Sequence, residues 1–282
     1  MKMKVYSLVL LFVCSLSFYA QKSLSVDDIF TKRMFASKFA SGFKAMKNGI
    51  HYTDIIKDST GIYIAKFDLK TGNKLANIVN ANNVKVDGKQ IDINDYTFSS
   101  DESKILFKTG VEGIYRRSSK AQCFVYNVKT GATTELSANG KQMFATFSPK
   151  GNKVAFVRDN NMFIKDLDSN NETQITFDGK NNEIKNGWAD WVYEEEFSKA
   201  DYFEWNADGS KLAYVKFNES KVKEYSFDQY NNNLYPDKVT FKYPKAGEDN
   251  SILTVHVYDI NSQKTVTVDI GKETDIYIPR IK

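Results

Sequence analysis

The amino-acid sequence predicts an all-β fold, and two observations carry that prediction. Aromatic residues make up 14% of the 282 residues, with 20 Phe, 16 Tyr and 3 Trp, and these residue types favour strands. Two strand patterns also recur along the chain, each bounded by polar turns of the kind that hairpins require. With 26% charged residues and only 4 prolines, the composition excludes disordered and collagen-like classes.

The first recurring pattern is an aromatic residue, a polar turn, a lysine and a short apolar strand. Its three copies start 49 and 58 residues apart, at residues 98–107, 147–156 and 205–214. The second pattern is an alternating strand that ends in a polar turn, with copies at residues 65–72, 124–131, 164–167 and 257–260. Two strand types recurring at ~40–60 residues predict a partial β-propeller of four-stranded antiparallel blades. About four blades of an expected eight fit in the chain, and the alternative, a β-sandwich, lacks such a repeat.

The first 20 residues have the organisation of a signal peptide. Lys2 and Lys4 precede an apolar segment at residues 5–13, and Ala20 offers a small residue before a cut at Gln21. The apolar segment is well short of the ~20 residues that span a membrane, which disfavours a transmembrane anchor. We therefore expect export to the periplasm or the extracellular space. Cleavage would lower the formal net charge from +4 to +2.

The residues that remain after this cut limit the chemistry that the chain could perform. Cys123 is then a single cysteine in a strand-like segment, which predicts a buried thiol rather than a disulfide, a nucleophile or a metal ligand. The two histidines, His51 and His256, occupy ordinary strand positions. A net charge near zero gives no basic stripe for nucleic acid and no cluster for a membrane surface. We predict no metal and no cofactor.

The rest of the chain divides into a lead-in and one β domain. Ser25 and Asp28 form a capping-box pattern that predicts a helix to about Met34, within a lead-in of residues 21–44. Residues 45–282 form the predicted, incomplete propeller domain. Two stretches, 179–197 and 226–250, interrupt the repeat and are predicted to be irregular insertions, where function is often located in a rigid scaffold.

The first insertion contains three consecutive carboxylates, Glu194, Glu195 and Glu196, close to Trp188 and Trp191. Neighbouring like charges raise one another's pKa and repel unless a cation lies near. A solvated acidic turn is one reading, but the aromatic flank indicates a partly dry setting in which unpaired carboxylates are penalised. No histidine pair or Asp-x-Asp loop supports a metal, so a free α-ammonium is the better cation. Two carboxylates can reach one ammonium only from a turn or short helix, which we predict at residues 191–197.

The segment 190–196, Asp-Trp-Val-Tyr-Glu-Glu-Glu, resembles the double-glutamate motif of the dipeptidyl peptidase IV family. Members of this family are serine exopeptidases with a propeller and an α/β-hydrolase domain. Residues 115–119, Tyr-Arg-Arg-Ser-Ser, are similar to the arginine loop of the family. The resemblance covers about residues 25–282 and extends to the segments 156–165, 174–180, 212–218, 224–227 and 243–247.

The resemblance implies a role for each matching residue. Glu195 and Glu196 would hold the α-ammonium of a peptide substrate, and Arg116 would donate to a substrate carbonyl, with Arg117 as the neighbouring candidate. An amine held at the glutamates would fix the distance to the nucleophile, so that two residues fit before the cleaved bond. The resemblance thus implies removal of dipeptides of the X-Pro or X-Ala type from peptides with a free amino terminus. It also implies a possible homodimer of the full-length protein.

The residues of hydrolysis itself are missing from the sequence. No Gly-x-Ser-x-Gly elbow occurs, and neither histidine follows a candidate nucleophile and acid in hydrolase order. The family's Ser-Asp-His triad lies in a C-terminal domain, which we expect to be absent from this chain, so the chain alone should be inactive. Residues 274–282 alternate like a strand and end without a turn, which suggests an incomplete chain. The alternatives are a non-catalytic propeller that binds peptide amino termini, and a tripeptidyl or other exopeptidase of the same superfamily.

Overall fold

The structure, a computed structural model, describes residues 23–37, 43–93 and 95–282. The predicted signal peptide lies outside these residues. The chain divides into two compact units, one up to Ser41 and one from Gly42 onward. Among the described residues, no helix is long and apolar enough to cross a membrane.

The described part of the first unit contains one short helix, α1, Val26–Phe30. Its capping box is confirmed: the Asp28 backbone N–H donates to Ser25 Oγ, and the Ser25 backbone N–H donates to the Asp28 carboxylate, both at 3.1 Å. The helix ends at Phe30, before the predicted Met34, and the left-handed φ of 48° at Arg33 keeps it from resuming.

The second unit contains four successive antiparallel sheets, which we name blades 1 to 4. Blade 1 is β1 Lys44–Ala45, β2 His51–Asp58, β3 Gly61–Asp68 and β4 Lys74–Asn80. A 3-10 helix, Ala81–Asn83, and a small ribbon follow, β5 Lys85–Val86 and β6 Lys89–Gln90. Blade 2 is β7 Asp95–Phe98, β8 Lys104–Gly113, β9 Ser119–Asn127 and β10 Thr133–Glu135. Blade 3 is β11 Met143–Phe147, β12 Lys153–Arg158, β13 Asn161–Asp166 and β14 Glu172–Gln174.

The predicted repeats correspond to the hairpins of these blades. In each copy of the first pattern the aromatic residue ends one strand and the lysine begins the next, as in the pairs β7–β8 and β11–β12. The second pattern supplies the third strand, as in β9 and β13, which pair with β8 and β12. The strands of blades 1 to 3 follow one another in simple meander order. The prediction of a partial propeller of four-stranded antiparallel blades is confirmed, and the sheets are open.

The core lies between the faces of neighbouring blades, so the central strands are buried on both sides. In β8, Ile105 and Phe107 pack in the cluster between blades 1 and 2, whereas Leu106 packs in the cluster between blades 2 and 3. Successive strand residues point to opposite faces, so a strand buried on both faces must be continuously apolar. Cys123 of β9 belongs to the same layer, is 1% exposed, and burial raises its pKa to about 12. The prediction of a buried thiol is confirmed.

Blade 4 departs from the meander because its first strand is split into two pieces. β15 Ile184–Asn186 and β16 Phe203–Trp205 both pair with β17 Lys211–Asn218, one after the other along the same edge. The blade is completed by β20 Ile252–Asp259 and β21 Lys264–Thr267. Residues 187–202 therefore leave the edge of the blade and return to it. They carry the second helix, α2, Trp191–Glu196.

The second predicted insertion is not irregular, which corrects the expectation for residues 226–250. Most of it belongs to a two-stranded hairpin, β18 Glu224–Gln229 and β19 Asp237–Lys242, paired residue by residue from Glu224↔Lys242 to Gln229↔Asp237. The polar Asn-rich tract between the strands resembles a loop in composition, and it is the connection of this hairpin. The hairpin carries exposed rings, with Tyr225 and Phe227 each 41% exposed.

Candidate substrate-binding site

Helix α2 begins where the sequence supplies a strong N-cap. The Asp190 backbone is extended, its Oδ1 accepts from the Tyr193 backbone N–H at 3.0 Å, and its Oδ2 accepts from Ser251 Oγ at 2.6 Å. The carboxylate thus satisfies a free N–H of the first helical turn and ties that turn to the residue before β20. The predicted helical turn at residues 191–197 is confirmed.

Gly187 makes the exit from the blade possible. Its φ of +75° is a conformation that residues with a Cβ rarely adopt, and a Cβ here would lie 1.9 Å from Met162 Sδ. Glycine suits both the left-handed turn and the close approach to Met162 of blade 3. The exit segment then pairs with the returning segment through the Ala189 N–H, which donates to the Ala200 carbonyl at 2.8 Å.

Tyr193 fixes the rotation of α2 about its axis. The ring is 2% exposed and packs edge-on against Tyr202 and Phe217, with centroids 5.5 and 5.0 Å away. Its hydroxyl accepts from the Ile278 backbone N–H at 2.9 Å. Burial of this ring sets the directions of the three glutamates that follow, since successive helix positions are ~100° apart.

The three glutamates consequently have three different environments. Glu194 is fully buried, the Glu195 side chain is 19% exposed, and Glu196 is exposed. Arg116 Nε donates to the Glu195 carboxylate, at 2.9 Å from Oε2 and 3.0 Å from Oε1. Within the described residues, the Glu196 carboxylate has no hydrogen bond or ion pair to the protein. The repulsion predicted for three adjacent carboxylates is relieved by spreading them over these environments.

The arginine comes from the tip of an elongated hairpin in blade 2. The strands β8 and β9 have 10 and 9 residues, compared with 6 each for the equivalent β12 and β13 of blade 3. The extra length carries the tip, residues 114–118, to α2 of blade 4. The tip is closed by the Ile114 N–H donating to the Ser118 carbonyl at 2.9 Å and the Tyr115 N–H donating to Ser118 Oγ at 3.1 Å.

The two arginines of the tip point to different partners. Arg116 uses Nε for Glu195, and its two Nη groups have no protein acceptor among the described residues. Arg117 is held instead by the backbone and side chain of the helix end, with Nε donating to the Glu194 carbonyl at 3.2 Å and Nη2 donating to Ser198 Oγ at 3.0 Å. The geometry therefore favours Arg116 over Arg117 as the residue with donors left for a ligand.

Aromatic rings lie beside the Arg116–Glu195 ion pair, on the side of the β18–β19 hairpin. Trp191 meets Tyr243 edge-on with centroids 4.5 Å apart and lies 6.3 Å from Phe241. Phe241 in turn lies 6.0 Å from Tyr115, the neighbour of Arg116. Burial first, and then the carboxylates of Glu219 and Glu194, raise the pKa of Tyr115 above its ordinary value. This hydroxyl therefore stays protonated among the carboxylates.

A second ion pair, between Lys185 and Glu219, lies under these rings. The Lys185 Nζ is 3.1 Å from Glu219 Oε2, and the two side chains are only 3% and 1% exposed. The Lys185 ammonium also lies 4.3 Å from the Trp188 ring centroid and 5.5 Å from that of Tyr115. Burial raises the pKa of Glu219, and Lys185 partly opposes that rise.

The structure thus brings all three predicted site residues to one place. Glu195 and Glu196 lie on adjacent positions of α2, and Arg116, 79 residues earlier, contacts Glu195. Sequence reasoning missed Asp190 as the helix cap, although an Asp immediately before the helical segment is a recognisable signal. It also missed Lys185 and Glu219, which offer no signal, since isolated charged residues in strands are usually exposed. Within the part of the chain that the structure describes, no cluster of three or more His, Cys, Asp or Glu side chains could hold a metal ion.

This arrangement defines a class of protein: a propeller-type β domain in which an inserted acidic helix of one blade meets an arginine hairpin of another. The sequence model of the family described as "Dipeptidyl peptidase IV (DPP IV) N-terminal region" matches residues 99–282. The chain therefore belongs to the dipeptidyl peptidase IV N-terminal region family.

Individual relatives agree with this assignment. The chain is 29% identical over 272 residues to "Probable dipeptidyl-aminopeptidase B" of Pyrenophora teres f. teres, covering 88% of this chain and 30% of that protein. It is 32% identical over 173 residues to "Prolyl endopeptidase FAP" of Mus musculus, covering 61% of this chain and 23% of the mouse protein. The crystal structure of Porphyromonas gingivalis dipeptidyl peptidase 4 superposes with a TM-score of 0.83 at 39% identity, covering 92% of this chain and 37% of that one. The match thus spans 23–37% of the length of these proteins.

Proposed function

We propose that this chain is the substrate-recognition part of an exported serine dipeptidyl aminopeptidase that removes dipeptides of the X-Pro or X-Ala type from peptide amino termini. Glu195 and Glu196 hold the α-ammonium of the substrate, and Arg116 donates to a carbonyl of the substrate. The catalytic residues would belong to a further domain of the full natural protein. Family membership supports the reaction class, and the arrangement of the three side chains supports the residue roles.

The single observation that carries this proposal is the contact between Arg116 and Glu195. One arginine charge balances one of the two accessible glutamates, so the group of three retains a net charge of −1. A substrate α-ammonium supplies the missing positive charge and up to three N–H donors, which two carboxylates can accept. The Arg116 Nη groups, which have no acceptor among the described residues, remain available for a carbonyl oxygen.

The proposed contacts also predict selection against blocked amino termini. A substrate with an acylated amine has no positive charge to offer, and its binding would cover Glu196 and part of Glu195 without neutralising them. Desolvating a carboxylate without a partner is costly, so such substrates are rejected by an unfavourable contact and not only by the loss of a favourable one. The same feature excludes longer amino-terminal extensions.

The test uses the full natural protein that contains this chain, with Glu195→Ala and Glu196→Ala compared with the control Glu204→Ala, an exposed glutamate of β16 in the same blade. Losing a charge-assisted contact to a buried amine costs about 2–5 kcal/mol. We therefore expect kcat/KM for free-amine dipeptidyl substrates to fall by about 30-fold or more, with little change for the control. Unchanged kinetics in both glutamate variants would refute the role in holding the amine.

The products of the same assay identify the reaction class. Mass spectrometry of a digested peptide should show dipeptides released in sequence from the amino terminus. Release of tripeptides would indicate another exopeptidase activity, and peptide binding without any release would indicate a non-catalytic binding propeller. Amino-terminal sequencing of the protein from its native host tests export, for which a mature start at or near Gln21 is expected.

A further inference from the structure

The first of the three consecutive glutamates, Glu194, has neither of the roles proposed for its neighbours. It is 0% exposed, so no substrate amine can reach it in the way that one can reach Glu196. Its Oε1 accepts hydrogen bonds from the backbone N–H groups of Ser118, at 2.7 Å, and of Arg117. A buried carboxylate with two backbone donors is a strong structural contact between two segments far apart in sequence.

These two N–H groups belong to the tip that presents Arg116. The peptide units on the C-terminal side of Arg116 are therefore anchored to α2, while Ser118 closes the tip through its contacts to Ile114 and Tyr115. The Glu194 contacts therefore restrain the Arg116 backbone relative to α2. From this position the Arg116 side chain donates a hydrogen bond to Glu195, which directly follows Glu194 in α2.

Arg117 adds a second connection between the same two segments. The Arg117 Nε donates to the backbone carbonyl of Glu194. Glu194 therefore accepts hydrogen bonds from the arginine tip with both its side chain and its backbone. The other carboxylate oxygen, Glu194 Oε2, is buried and has no hydrogen-bond partner among the described residues. The Glu194 side chain thus accepts hydrogen bonds through one oxygen, Oε1, and only from the arginine tip among the described residues.

We propose that Glu194 is a positioning residue, which sets the place of Arg116 relative to Glu195 and Glu196 by holding the backbone of the arginine tip against α2. The proposal rests on the proposed function for its kinetic consequence, but not for its structural one. The triplet then divides its work: the first glutamate assembles the site from two blades, and the second and third bind the substrate. A shift of about 1 Å in a binding group can lower a rate by about 100-fold.

The structural part of the proposal is tested by hydrogen–deuterium exchange on the full natural protein. This measurement does not require the protein to be enzymatically active. In Glu194→Ala the amides of Arg117 and Ser118 should exchange faster, because their acceptor is gone. In the control Glu195→Ala they should keep the wild-type rate, because Glu195 contacts only the Arg116 side chain. Unchanged exchange of residues 114–119 in Glu194→Ala would overturn the proposal, whatever the protein's function.

The kinetic part is tested by a double-mutant cycle between Glu194 and Arg116. Glu194→Ala alone should lower kcat/KM by up to about 100-fold, whereas in the Arg116→Ala background it should lower it by no more than about 3-fold, since its effect passes through Arg116. A full, undiminished loss in that background would overturn the proposal. Unchanged kcat/KM in both Arg116→Ala and Glu195→Ala would instead refute the proposed function. The failure of the proposed function can thus be told from the failure of the positioning role.

Conservative variants keep the test decisive if the alanine variant fails to fold. Glu194→Gln preserves an oxygen acceptor for both N–H groups, and its amide nitrogen would replace Oε2, which has no donor to lose. It should recover most of the wild-type kcat/KM. Glu194→Asp keeps the charge but withdraws the carboxylate by one methylene, so it should behave like alanine in the cycle. Equal damage by glutamine and alanine would contradict the hydrogen-bonding role.

Discussion

Two ion pairs lie close together around blade 4, and they differ in their exposure to water. Lys185 and Glu219 are 3% and 1% exposed, whereas Arg116 and Glu195 are 69% and 19% exposed. The first pair connects β15 to the residue after β17, within one sheet. The second connects a hairpin of blade 2 to a helix inserted in blade 4.

The difference between the pairs shows how a charged group becomes either structural or available for binding. Lys185 is enclosed by the rings of Trp188 and Tyr115, and its ammonium lies 3.1 Å from Glu219 Oε2, out of reach of water. Arg116 keeps two donor groups in water and can exchange solvent for a ligand at small cost. A binding site requires the second kind of pair, and the first kind supports the sheet edge from which the binding helix departs.

The largest expected effect comes from breaking the buried pair on one side. Lys185→Met removes the cation nearest to the buried Glu219 carboxylate, which costs about 3–5 kcal/mol in the free energy of unfolding. Urea unfolding of the chain, followed by tryptophan fluorescence, measures this loss. The double variant Lys185→Met/Glu219→Leu should recover most of it, because replacing a whole buried pair by apolar groups is often nearly neutral. A single-variant loss below about 1 kcal/mol would contradict the buried character of the pair.

A smaller effect should appear as a pH dependence of that loss. Burial raises the pKa of Glu219 in the folded chain, although Lys185 lowers it, so the folded state binds this proton more tightly than the unfolded state. Stability from this group is therefore present at low pH and is lost as the pH rises through the folded pKa. Without Lys185 the folded pKa rises further.

The stability deficit of Lys185→Met relative to wild type should accordingly shrink as the pH falls from about 8 to about 5, where Glu219 can be neutral. The difference between two proteins cancels the titration of groups that both share, including His256, whose pKa burial lowers. The variant Lys185→Met/Glu219→Gln serves as the control, with a deficit that does not change with pH. A deficit that stays constant in Lys185→Met would show that another group carries the penalty.

The features that could be predicted from the sequence are those with a local cause. The aromatic-turn-lysine units at Phe98, Phe147 and Trp205 became hairpins because turn chemistry and strand alternation act over ten residues. Helix α2 was predicted because two consecutive carboxylates can meet one ammonium only from a turn or a short helix. The capping box at Ser25 was also local. The end of that helix was not predicted, because its composition gives no signal for the left-handed conformation of Arg33.

The features that escaped prediction depend on contacts distant in sequence. The burial of Glu194 depends on two backbone N–H groups 76 and 77 residues earlier. The pairing of Lys185 with Glu219 depends on the register of β15 against β17. The closeness of Arg116 to Glu195 was expected only from the family resemblance, because no periodicity relates a hairpin tip of blade 2 to a helix of blade 4.

The smallest expected effect completes the comparison between the two pairs. Arg116→Ala should change the free energy of unfolding of the chain by less than about 1 kcal/mol, because a largely exposed arginine gains little Coulomb energy and its partner Glu195 can be hydrated when alone. Urea unfolding measures the change beside Lys185→Met under the same conditions, and Lys120→Ala, which removes another exposed pair partner on the same hairpin, is the matched control. A loss of several kcal/mol in Arg116→Ala would mean that this pair also holds the fold together. Its donors could then not be released to a substrate without weakening the contact between blades 2 and 4, and the division between a structural pair and a binding pair would be wrong.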